Sequence, residues 1–400
     1  MPRHSCLVAV LLAACAGGGD AVSDLVTIDT LPGGIPLVVS TGPVEAGRWS
    51  LVHEFDIQPG EGEPGELIAP TDVALGDDNS IYIAESNPNR ILVFRADGSF
   101  DRSIGRGGGG PGEFNSAWIA VRGDTLAIQD PSQTRGTTID LNTDQVISIR
   151  ATACCYWHPI GIDAQGRAVA RMMSGDGPPA QPFIRFPMSG ESVDTIEIPL
   201  TPAPSDQIQW IVRAGSSGGG GVMSLMVPLR PTDLIAIDPT GGFVAGWSGA
   251  YRIAVINVDG DTTMIFGREY PLIPVTAGQK QALIDEVVAS MTQSGMGVTE
   301  SQLREAFDPR AIPDQHPAFS AVRVDREGRR WVQRSVPDSA RVHIDLFDRD
   351  GRWLDSLAVP RRDWVEESWQ PVALSSDRIV VLREDSDGLP ILRVYRVKRN

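Results

Sequence analysis

The residues from Ala69 to Phe114 constrain the fold more than any other stretch of the chain. They read Ala69-Pro-Thr-Asp-Val-Ala-Leu75, a Gly76-Asp-Asp-Asn79 turn, Ile81-Tyr-Ile-Ala-Glu85 and then Asn89-Arg-Ile-Leu-Val-Phe94. Asp97-Gly98, Phe100, Ile104-Gly105 and Pro111-Gly-Glu-Phe114 follow. Four short apolar runs separated by tight turn signals are the pattern of one four-stranded antiparallel sheet. The segments Gly60-Glu-Gly-Glu-Pro-Gly-Glu-Leu67 and Gly107-Gly-Gly-Gly-Pro-Gly-Glu-Phe114 match each other 47 residues apart. A repeat of that length with four strands per unit predicts sheets arranged radially around an axis.

Later units repeat the pattern with weaker signals. A second blade runs from Trp118 to Ile149 and a third opens at Pro159 and closes near Ile198. Residues 201–225, rich in Pro, Ser and Gly, read as a long loop leading to a fourth blade at Asp233–Phe266. The fifth spans Phe319–Leu357 and the sixth Val372–Val397. The sixth is one strand short, and Trp49-Ser-Leu-Val-His-Glu-Phe55 is a spare strand that would complete it and remove the exposed edge. The expected fold is therefore all-β, a six-bladed β-propeller of four-stranded antiparallel blades closed by an N-terminal strand. Gly278–Met291 breaks the β pattern with apolar residues at helical spacing, and Thr299-Glu-Ser-Gln302 is a capping box heading a second helix. A helical insertion at about 276–309 is thus expected between blades 4 and 5, as a lid or as packing against that junction.

The order Tyr82…Glu85…Asn89-Arg90…Phe94 with the closing Pro111-Gly-Glu-Phe114 resembles an NHL repeat. The chain from about Trp49 to Lys398 resembles the six-bladed NHL-repeat-type β-propeller lipoproteins of bacteria. The resemblance implies the fold and an export route but no reaction, because the architecture hosts binding scaffolds, lyases and lactonases.

The N-terminus agrees with export. Arg3 and His4 precede a short apolar run from Cys6 to Ala14, and Leu12-Ala-Ala-Cys15 reads as a lipobox that would acylate Cys15. An ordinary secretory signal cleaved nearby is the other reading. Residues 1–15 would be the signal, 16–47 a flexible tether and 48–400 the propeller. The apolar run is too short to span a bilayer, so membrane association would come only through the lipid, with the protein exported and anchored to the outer membrane. With 35 basic and 51 acidic residues, the chain lacks the Lys/Arg surface that nucleic acid requires.

Chemistry is harder to place. Six-bladed enzymes of the resembling type bind zinc or calcium at the channel mouth, so Asp72, His158, Asp233 and His316 are candidates there. Asp72, His158 and Asp233 are the candidates for metal. His158-Pro159 and His316-Pro317 look equivalent, but they precede their turns by five and nine residues. Four residues of strand are about 13 Å, too far for one ion. Pro70-Thr-Asp72 and Pro231-Thr-Asp233 recur in blades 1 and 4, which face each other across a ring, where carboxylates suit calcium. Cys154-Cys155 has three readings: a vicinal disulfide, two buried reduced thiols, or half of a soft-metal site with His158. His-Glu-x-x-His and Walker-type motifs are missing from the sequence. The expectation is a binding or scaffold module for a peptide, glycan or protein partner, without a cofactor. The alternative is a metal-dependent lyase or lactonase of the NHL/gluconolactonase type.

Overall fold

Runs of Val, Ile and Leu interrupted by Gly and Asp turns give the chain many short strands and few ways to bury them except in stacked sheets. A computed structural model describes residues 23–151, 156–172, 180–187, 194–199, 209–214, 221–239, 241–293, 298–364 and 372–400. Six sheets of antiparallel strands form a propeller. Blade 1 contains Pro70–Leu75, Ile81–Ser86, Asn89–Phe94 and Phe100–Ile104 in spatial order. The other inner strands are Trp118–Arg122, Tyr156–Ile162, Asp233–Asp238, Phe319–Val324 and Val372–Leu374.

The turns explain much of the local order. Asp163-Ala-Gln-Gly-Arg167, Asp325-Arg-Glu-Gly-Arg329 and Asp348-Arg-Asp-Gly-Arg352 use one design. One oxygen of Asp325 accepts the backbone N–H groups of Glu327 and Arg329, and the other accepts Arg329 Nε and Trp331 Nε1. Gly351 takes φ +79°, where a Cβ would also lie 2.6 Å from Phe266 Cβ, so only glycine fits.

Apolar side chains are buried between blades. Separate clusters occupy each of the six junctions. Ile91, Phe114 and Ile128 join blades 1 and 2, and Phe266, Phe319 and Phe347 join blades 4 and 5. At the latter junction Asp345, fully buried, accepts Tyr251 Oη at 2.7 Å and Arg268 Nη1 at 3.1 Å. Burial and then the Asp345 charge raise the Tyr251 pKa well above its usual value. In blade 1, buried Glu85 accepts the N–H of Ile68 and Arg90 Nε, while Arg90 also donates to Glu66 O. Arg90 therefore ties strands together within its blade.

The expected closing strand forms. Trp49–Ile57 pairs antiparallel with Pro390–Arg399 as the outermost strand of blade 6. The expected tether does not extend over residues 23–47. Val26–Leu31 and Ile35–Ser40 form a hairpin around Pro32-Gly33-Gly34, whose glycines take φ +87° and +78°. The second strand lies parallel to Thr262–Arg268 and extends blade 4 to six strands. The β-branched runs either side of the Gly-Gly turn supply the strands, and the open edge of blade 4 supplies their partner. Val44 and Glu45 N–H groups then donate to Trp353 O and Leu354 O on blade 5. The N-terminal segment thus crosses the outside of blades 4, 5 and 6.

Two helices, Ala277–Gln293 and Glu300–Ala306, lie between blades 4 and 5, and Thr299 caps the second with both capping-box hydrogen bonds. The stretch expected as a loop holds a hairpin, Trp210–Ala214 with Gly221–Leu225. Val212 alternates with exposed neighbours, a period-2 signal, and packs with Trp210, Ile284, Val288, Leu303 and Phe307 into a core of its own. Trp210 stacks on Phe307 with ring centroids 4.4 Å apart. Both segments connect the outer strand of one blade to the inner strand of the next. They therefore lie on the face of the disc where inner strands begin.

Candidate functional site: the central channel

The inner strands enclose a cavity of about 320 Å³ on the propeller axis. Each contributes three consecutive residues: Val73-Ala74-Leu75, Ile119-Ala120-Val121, Ile160-Gly161-Ile162, Ile235-Ala236-Ile237, Val322-Arg323-Val324 and Val372-Ala373-Leu374. Five triplets are aliphatic, small, aliphatic. The small middle residue keeps the ring narrow where blades approach closely: a Cβ on Gly161 would come 3.1 Å from Ile237 Cγ2. The fifth triplet places Arg323 where the others carry Ala or Gly. Its side chain reaches the channel but is packed round by protein, and burial lowers its pKa to about 10, leaving it charged at neutral pH.

Two further arginines close the end where the inner strands finish. Arg326 donates to Leu75 O and Val121 O and forms an ion pair with Asp77. Arg122 donates to Pro239 O at 2.5 Å and more weakly to Ile162 O at 3.4 Å. These guanidinium groups bridge the strand ends of five blades, because each fork has donors enough for several carbonyls. At the other end Arg171 and Asp233 line the cavity, with Arg171 Nε donating to Gln181 Oε1 at 3.0 Å.

Asp72 and Asp233 both line this cavity. Asp72 is 3% exposed. Its Oδ1 accepts Val73 N–H at 2.9 Å and its Oδ2 accepts Ile119 N–H at 2.8 Å. It staples the inner strand of blade 1 to that of blade 2. His316 is not at the channel mouth. It lines a separate cavity of about 370 Å³ with Pro231, Leu272, Pro274 and Pro313. The segment before blade 5 bridges Pro274 to Gln315, and His316 N–H donates to Ile273 O, so the chain folds back on itself before the inner strand starts at Phe319. Neither His316 ring nitrogen has a hydrogen-bond partner among the described residues, and burial lowers its pKa. The His158 side chain, Cys15, Cys154 and Cys155 lie outside the described residues. Among those described, no three His, Cys, Asp or Glu side chains gather closely enough to hold a metal ion.

Arg122, Arg171, Arg323 and Arg326 were not among the candidates from sequence. The signal for Arg323 was present: lining up the residues before each inner-strand turn shows one Arg among Ala and Gly.

Residues 67–158 match the sequence model of a family described as a 6-bladed beta-propeller, DUF5128. No curated protein matches the chain. Solved structures to which the chain is similar include a Bacteroides fragilis protein assigned to the exported class, 12% identical over 90% of this chain and 98% of that one, TM-score 0.46. A DUF4221 member from Bacteroides vulgatus is 7% identical over 89% and 100%, TM-score 0.47. Virginiamycin B lyase from Staphylococcus aureus is 11% identical over 86% and 99%, TM-score 0.42. Among the described residues no helix is long and apolar enough to cross a membrane.

Proposed function

We propose that this chain is an exported NHL-type propeller, lipid-anchored through Cys15, that acts as a binding module and takes its ligand into the central channel. The observation that carries this reading is the use of Asp72. Both its oxygens accept backbone N–H groups, one from its own strand and one from blade 2, so the carboxylate best placed for a metal site or a base serves as a structural staple. What remains is an aliphatic cavity with a few fixed polar groups, the usual make-up of a small-ligand site. The hairpin and helices on the face where inner strands begin offer a recognition surface beside it for a peptide, glycan or protein.

Elemental analysis after dialysis against calcium and zinc, on protein without a histidine tag, tests the reading. We expect well under one metal ion per chain and no loss of ligand binding with a chelator. One ion per chain, lost in Asp72→Ala or His158→Ala, would favour the metal-dependent lyase or lactonase instead.

A further inference from the structure

We propose that the channel is a receptor for an organic carboxylate with an apolar body, its carboxylate held by Arg323. This rests on the reading of the channel as a ligand site and names the chemistry that the site selects. Three observations support it.

The first is position. Five of six equivalent places in the inner ring are Ala or Gly, and the exception puts a guanidinium inside the cavity. Burial disfavours its charged form, so an opposite charge beside it is favoured in this narrow aliphatic channel. The second is charge balance. The whole chain has 35 basic against 51 acidic residues, yet the cavity lining carries Arg171 and Arg323 against Asp72 and Asp233, with Arg326 paired to Asp77. Asp72 is further neutralised by two N–H donors. The third is shape. Arg326 and Arg122 seal one end, so an entering molecule meets Arg323 with aliphatic side chains above and below it. Arg323 already has a partner in the protein, but a guanidinium has five N–H donors in a planar fork that matches a carboxylate. Exposed Arg171 near the open end draws anions inward.

The carboxylate could belong to a free short acid or to the C-terminus of a peptide, and the test separates the two. Isothermal titration of the full-length protein in a non-ionic detergent would use isovalerate and isovaleramide, then alanyl-valine with a free or an amidated C-terminus. We expect at least one of the two acids to bind about tenfold or more tightly than its amide, equivalent to about 1.4 kcal/mol. Isovalerate alone showing the preference assigns a free acid, and the dipeptide alone assigns a peptide end. Arg323→Met should reduce the acid to the affinity of the amide while keeping the native circular dichroism spectrum. Should Arg323→Met not fold, Arg323→Lys keeps the charge without the fork and should lose part of the preference. Equal binding of acid and amide, or an unchanged acid affinity in the variant, would overturn the carboxylate assignment and leave the binding channel standing. No binding of any of the four probes would overturn both.

Discussion

His316 is 7% exposed, neither of its ring nitrogens has a partner among the described residues, and prolines surround it. A neutral imidazole held this way loses its hydration without recovering it. Its pKa in the folded chain lies below the value of about 6.5 for a free imidazole, through burial. Between those two values the unfolded chain binds the proton first, so this contribution is full above about pH 6.5 and is lost as pH falls. Replacing His316 with Leu should leave the melting temperature at pH 7 unchanged or raised, and flatten its decline between about pH 6.5 and pH 5. Thermal unfolding by circular dichroism at several pH values reads both. A steeper acid decline in His316→Leu would refute this account. Asp345 shows the opposite case: it is as buried as any residue but meets Tyr251, Ser356 and Arg268, so its charge is answered from two blades.

At the scale of elements, the Asp-x-x-Gly-Arg turn is the unit that the sequence displays most openly. It recurs at Asp163, Asp325 and Asp348 with the same hydrogen bonds. Asp325→Ala would strip four donors of their acceptor, including the buried Trp331 indole, and should cost about 2–4 kcal/mol. Urea unfolding should show the midpoint falling with an unchanged slope; a midpoint within error of the native chain would refute it. The helices were equally legible, from a 3.6 period and a capping box that both formed. The two hairpins were not. Val26–Leu31 and Ile35–Ser40 carry good strand residues and a Gly-Gly turn, but their pairing partner is a parallel outer edge that no propeller repeat encodes. Trp210–Ala214 sits among Pro, Ser and Gly, and what makes it a strand is packing on helices some 70 residues later. Local pattern carries no information about such distant partners.

For the whole molecule, blade number and closure followed from counting strands, whereas the channel's chemistry did not. Its walls are set by which residues six separate strands place at one height, and that comparison emerges only when the strands are lined up on their turns. His316 was misplaced for the same reason, since its distance from the next turn gave only a position along the chain. Closure itself makes a prediction. Removing residues 1–40 takes away the hairpin on blade 4 but leaves Trp49–Ile57, and should lower the melting temperature by roughly 2–5 °C. Removing residues 1–57 leaves the strand Pro390–Arg399 without its neighbour and should yield protein that aggregates or lacks a near-ultraviolet circular dichroism signal. A cooperative transition at the native temperature in the shorter chain would show that the ring does not depend on this strand.

The pairing of Trp49–Ile57 with the final strand also sets when the molecule becomes complete. Synthesis runs from the N-terminus, and domains fold as their residues emerge. The first strand made of blade 6 must therefore wait, one edge open, for the strand Pro390–Arg399. Five blades can stack in the meantime, but they remain an arc. A polypeptide released early, or clipped near its end, keeps that unpaired edge and stays a target for proteases and aggregation. The seam thus joins a strand from before blade 1 to a strand of blade 6, and the disc is sealed only once both are present.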